Sequence, residues 1–126
     1  MSLESVCAFD VYGNPVSKAR ARVGSQGAWT PSEVTAAEDR IRWQFLQECK
    51  GVEVDHRARY RVMLAFVACD RIRRDVDNLA KLVLDALNGH VWKDDWQIDE
   101  LSVRRVFVTD KALAKTVIEI YKLGEH

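Results

Sequence analysis

The sequence predicts a mixed α/β (α+β) fold, a single domain of order βαβαββ in which one mixed sheet packs with helices. Three observations predict it. Four segments have the alternating or continuous apolar pattern of strands, and two others carry apolar residues at helical spacing. At 126 residues the chain can bury one complete core but not two. No repeat, low-complexity tract or Pro/Ser-rich linker interrupts it, so residues 1–126 are expected to form one unit.

Val6 to Tyr12 alternates and ends at Gly13-Asn14-Pro15, a strand running into a turn. A basic loop with Lys18, Arg20 and Arg22 follows. Thr30-Pro31-Ser32-Glu33 reads as a capping box with proline at the first helical position, and a helix should continue to about Lys50. Its stripe is Val34, Ala37, Ile41, Phe45 and Cys49. Trp43 lies off that stripe, as either a contact for a second subunit or a surface aromatic. Tyr60 to Ala68 is apolar on both parities, which predicts a central strand buried on both faces. After the charged turn Asp70 to Arg74, a helix is expected from about Asp77 to Asn88, with Gly89 ending it. Leu101 to Val108 and Thr116 to Tyr121 alternate, and the simplest pairing is an antiparallel hairpin.

No apolar run approaches the roughly 20 residues of a membrane span, so no membrane role is expected. The N-terminus has neither a basic start nor a signal-like apolar stretch, which makes the cytoplasm the default location. Three cysteines at wide spacing, without CxxC or HxxxH, argue against a zinc site or a disulfide framework. Nineteen basic residues balance nineteen acidic ones, which at first sight argues against a nucleic-acid partner. The balance is local, however. From Arg57 to Arg74 stand six arginines and one acid, and from Asp75 to Glu100 seven acids and two lysines.

That boundary holds the chemistry. Asp75 and Asp77 would point about 200° apart on a helix but to one side in extended backbone. To act together, Asp75 must lie in the strand-to-helix connection and Asp77 at or near the N-cap. Alone, the pair is more simply an N-cap and a partner of Arg73 or Arg74. Two features shift that balance. Lys81 follows one helical turn after Asp77, where it could neutralise a phosphate oxygen or merely bridge to Asp77 or Asp85. Asp94-Asp95 lies between Trp92 and Trp96, after a turn that could return the chain to the helix start. Carboxylates converging without histidine or cysteine favour a hard cation such as Mg²⁺, and arginines beside them suit phosphates. The residues alone therefore suggest a metal-dependent phosphodiester hydrolase acting on nucleic acid.

The run Arg74-Asp75-Val76-Asp77-Asn78-Leu79-Ala80-Lys81, then Asp85-Ala86-Leu87, then Asp94-Asp95-Trp96-Gln97-Ile98, closely resembles the signature of the RusA family of Holliday-junction resolvases. Pro15-Val16-Ser17-Lys18-Ala19-Arg20-Ala21-Arg22 is similar to that family's basic loop. The resemblance implies a Mg²⁺-dependent (or Mn²⁺-dependent) homodimeric endonuclease that nicks four-way junction DNA symmetrically. By position, Asp75, Asp77 and Asp95 take the metal-ligand and catalytic roles, Asp94 assists, and Lys81 takes the essential lysine's role. Lys18, Arg20, Arg22, Arg73 and Arg74 become DNA contacts. A two-fold dimer would present two sites to a junction's two cleavage points, with Trp43 and the final hairpin as interface candidates. The alternatives are a junction binder that keeps the fold but not the reaction, and a metal-dependent nucleotide phosphohydrolase.

Overall fold

The capping box at Thr30 forms as its sequence requires: the Thr30 hydroxyl accepts the Glu33 N–H at 3.2 Å, and the Glu33 carboxylate accepts the Thr30 N–H at 3.3 Å. In the computed structural model, which describes residues 3–18 and 30–124, this cap opens helix α1 (Pro31–Glu48), after strand β1 (Leu3–Tyr12). There follow strand β2 (Tyr60–Ala68), helix α2 (Val76–Leu87), strand β3 (Ile98–Phe107) and strand β4 (Lys115–Leu123). Single 3₁₀ turns, Asp95–Gln97 and Lys111–Leu113, precede the last two strands. The predicted βαβαββ order is thus present.

The predicted hairpin is not. The sheet order is β1-β4-β2-β3, with β3 parallel to β2 and β4 inserted antiparallel between β1 and β2. The reason is the intervening helix. α2 carries the chain back along the sheet, so β3 must start at the same end as β2 and run beside it. β4 then fills the remaining gap. Burial agrees with these places: β4 buries Thr116, Ile118 and Ile120, whereas edge strand β3 keeps Leu101, Val106 and Phe107 exposed.

Both helices contribute to one core with the sheet. The stripe Val34, Ala37, Ile41, Phe45 and Cys49 of α1 is buried, as its spacing predicts, against Phe9 of β1 and the apolar side of α2. Phe9 and Phe45 meet edge-on at 6.0 Å. In β2, Tyr60, Val62, Leu64 and Phe66 are buried, while Arg61, Met63, Ala65 and Val67 on the opposite side are only half-buried. β2 is therefore an interior strand, but buried fully on one face rather than two. Its second parity is apolar although no described layer covers it. Trp43 is exposed on α1.

Trp92 is completely buried, stacks edge-on with Tyr60 at 5.5 Å and donates its indole N–H to the Asn88 side chain at 2.8 Å. It anchors the turn after α2, where Gly89 adopts a φ of +81° that an L side chain would resist. Among the described residues no helix is long and apolar enough to cross a membrane.

Candidate active site

The connection from β2 to α2 leaves the sheet at the carboxyl ends of the parallel pair β2 and β3, where open α/β sheets place their ligands. Arg74 organises it. Its guanidinium is buried, only 4% exposed, and makes two hydrogen bonds to the Asp70 carboxylate at 2.6 and 3.1 Å. It also donates to the carbonyls of Pro15 at 2.7 Å and Ile72 at 3.2 Å. Arg74 therefore clamps the connection to the loop after β1. The predicted role as an exposed DNA contact does not fit a side chain so enclosed. The Asp70 carboxyl is held below its usual range, chiefly by hydrogen bonding to that guanidinium.

The clamp sets the backbone of the next residue. Asp75 is the N-cap of α2, in extended conformation (φ −89°, ψ 136°), and its side chain makes no capping hydrogen bond. An aspartate at this position ordinarily accepts an N–H of the first turn. Here the carboxylate faces solvent, with Arg73 Nε at 3.9 Å. Asp77 lies two positions past the N-cap, within the first turn and so near the N-cap as expected. It is exposed, and one of its oxygens accepts the Asn78 N–H at 2.9 Å. Two carboxylates thus stand at one helix start, where the helix dipole favours negative charge.

Lys81 stands on the exposed side of α2, its Nζ 3.5 Å from Asp85. Lys18 reaches the same Asp85 oxygen at 3.4 Å and pairs with the nearly buried Glu38 at 2.9 Å, while its backbone N–H donates to the Asn78 carbonyl at 3.0 Å. Hydrogen bonding to Glu38 raises the Lys18 ammonium above its usual pKa. Lys18 is thereby a tether between the β1 loop and both helices, and less available to DNA than its place in a basic loop suggested. Arg73, 90% exposed, is the neighbouring guanidinium open to phosphate. Arg20 and Arg22 fall outside the described residues.

Asp94 and Asp95 do not return to the helix start. β3 begins beside the first residue of β2, with Ile98 opposite Tyr60, so the turn carrying both acids sits at the far end of α2. From Asp77 to Leu87 the helix alone spans roughly 15 Å at 1.5 Å per residue. Convergence of all the acids within one chain is accordingly corrected, and among the described residues no three His, Cys, Asp or Glu side chains are grouped to hold a metal. What fixes that turn is Gln97, fully buried. Its carbonyl oxygen accepts the N–H groups of Lys93 and Asp94 at 2.8 and 3.3 Å, and its amide donates to the carbonyls of Asp55 and Ala58 at 2.8 and 3.0 Å.

The profile of the family described as Endodeoxyribonuclease RusA matches residues 12–121. The chain belongs to the RusA family. The match spans Asp75, Asp77, Asp94 and Asp95 as well as Lys81 and Lys18, and so covers both ends of α2. No curated protein matches the chain significantly. Against this RusA framework, two residues had gone unread in the sequence. Asp70, Arg74's partner, had looked like an ordinary turn residue. Arg105 of β3, which donates to the Arg74 carbonyl, carried a signal: it breaks the apolar alternation of Leu101, Val103 and Phe107.

Proposed function

We propose that this RusA-family chain is a structure-selective endodeoxyribonuclease that resolves Holliday junctions by paired symmetric nicks, dependent on Mg²⁺ or Mn²⁺, in cytoplasmic DNA recombination and repair. The observation that carries this reading is the pair Asp75 and Asp77: an N-cap carboxylate left without its capping bond, beside a second exposed carboxylate in the same helical turn.

These two groups suit a hard cation, because Mg²⁺ is commonly held by one or two carboxylates with waters and substrate phosphate oxygens completing its shell. When bound, such an ion supplies an activated water and stabilises the departing oxyanion. The chain's own residues would do the rest. Asp75 and Asp77 hold the cation; Lys81, steadied by Asp85, would place its ammonium toward the scissile phosphate; Arg73 would hold a neighbouring phosphate. Arg74, Asp70 and Lys18 fix the backbone from which these groups project.

The distance between the two ends of α2 supports a homodimer in which the site is shared. A second copy, related by a two-fold axis, could bring its Asp94–Asp95 turn to Asp75 and Asp77 of the first, and the symmetry would build two equal sites. The primary test is cleavage of a synthetic four-way junction in Mg²⁺. Paired nicks are expected from the wild type, and Asp75→Asn should abolish them while junction binding persists. Cleavage surviving that substitution, or proceeding without any divalent ion, overturns the reading.

A further inference from the structure

Beside the Asp75 helix start lies a solvent-open cavity of about 260 Å³. Ala68, Ile72, Leu79 and Phe107 give it apolar walls, and Arg105 and Asp70 give it polar ones. Pockets for drug-sized ligands typically run from about 300 to 1,000 Å³, so this one suits a single ring system. Its position is fixed by a hydrogen bond: the Arg105 guanidinium donates to the carbonyl of Arg74, whose peptide leads directly into Asp75. Phe107 is exposed at the end of edge strand β3, and the Arg71 guanidinium lies over its ring, 4.1 Å from the centroid. A cation thus covers one face of an exposed ring that also lines the cavity.

We propose that this cavity receives one unstacked nucleobase of the strand being cut, next to the scissile phosphate, with Phe107 as its stacking surface and Arg105 as donor to its acceptor edge. The inference rests on the nuclease reading above. Three features favour a base over other occupants. A base requires a flat apolar contact and a directional donor together, and Phe107 and Arg105 supply both. Arg71 adds a positive charge next to the cavity-lining Phe107, which suits the phosphate attached to such a base. Finally, the cost of taking a base out of its stack is least where the duplex is already interrupted, as at a branch point.

Stacking of one base on an aromatic ring, judged by alanine substitution, predicts a loss of about five-fold or more. The test uses the full chain and four-way junctions whose branch-adjacent positions carry every base combination, with cut ends sequenced. The wild type should show an uneven base composition at one position beside the nick. Phe107→Ala and Arg105→Gln should flatten it by lowering cleavage of the preferred sequence about five-fold or more and that of the others much less, while Phe107→Tyr should keep it. In a junction with 2-aminopurine at that position, protein added in Ca²⁺ should change the fluorescence, and Phe107→Ala should remove the change. An even composition in the wild type, or an unchanged preference in both Phe107→Ala and Arg105→Gln, overturns the inference. Should Phe107→Ala fail to fold, the exposed Arg105→Gln and the wild-type fluorescence decide in its place. If the wild type cuts no junction, the nuclease reading falls and takes this one with it. If it cuts and Asp75→Asn does not, an intact preference in the variants refutes the cavity's role alone.

Discussion

Replacing Arg74 by alanine should unfold the protein earlier without weakening its electrostatic hold on DNA, and replacing Arg73 should do the reverse. Arg74→Ala removes a buried guanidinium that serves the carbonyls of Pro15 and Ile72, and leaves the Asp70 carboxylate with the Ile72 N–H but without its charged partner. Breaking a buried pair by removing one partner costs about 3–5 kcal/mol. Asp70 is partly exposed, with 29% of its side chain accessible, so it can recover some hydration, and about 3 kcal/mol is the appropriate scale. With an unfolding entropy of about 2.1 cal/mol/K per residue, that lowers the Tm of a 126-residue chain by about 11 °C. The loss should also shrink in acid. Arg74 depresses the Asp70 pKa, so the pair's contribution is full above the unfolded value of about 4 and fades as pH falls below it. Arg73→Ala, by contrast, should leave Tm within about 1 °C, because surface substitutions of this kind stay within about 0.5 kcal/mol. It should reduce the salt slope of junction binding by about one. Thermal denaturation and binding titrations between low and moderate salt measure both. A Tm change below about 3 °C in Arg74→Ala, with a lowered salt slope, would refute the clamp and restore Arg74 as a phosphate contact.

Mixing inactive Asp75→Asn and Asp95→Asn subunits should restore cleavage if the site is shared, because one hybrid site then combines an intact Asp75 with the other copy's intact Asp95. The product should carry a single nick, and no recovery would place each site within one chain. Gln97→Leu should lower Tm by roughly 10 °C or more, since four backbone groups lose their partner at a fully buried position; a shift under about 3 °C would mean that the turn holds itself. Asp55 is held down to about 2, first by the N–H groups of Arg57 and Ala58 and then by Lys122, so wild-type stability should decline as pH falls from about 4 toward 2, and Asp55→Asn should flatten that decline in acid denaturation curves. Burial pushes Tyr60 up to about 12, so its absorbance should titrate above the usual tyrosine range and stability should fall as pH rises from about 10 through that value.

Local signals in the sequence were reliable where one element settled the matter. The Thr30–Glu33 cap, the α1 stripe and the Gly89 stop depend on residues a few positions apart, and each took its predicted form. Strand partners depend on the path between strands, so the alternation of Leu101–Val108 and Thr116–Tyr121 identified strands but not their neighbours. The site divided in the same way. Spacing placed Asp75 and Asp77 at one helix start, yet the destination of Asp94–Asp95 was set by β3 running parallel to β2, which no spacing reveals. Charge alone could not separate Arg73 from Arg74. Adjacent in sequence, one reaches solvent and the other turns inward to Asp70 and Pro15. Gln97 stood within the recognised motif without a role, because its four partners lie in two segments about forty residues apart.

The late insertion of β4 governs how this molecule can be made. β1 and β2 are synthesised early, but neither touches the other in the sheet, and both wait for β4, which is made only after β3. Until then the nascent chain exposes two unpaired strand borders, and only the β2-α2-β3 unit can begin to settle. Contacts between segments so distant in sequence form slowly, and open borders invite association between neighbouring chains. Ribosome stalling or truncation ahead of Lys115 should therefore yield aggregates rather than a smaller folded protein, because β1 and the Pro15 carbonyl that Arg74 holds join the sheet only through β4.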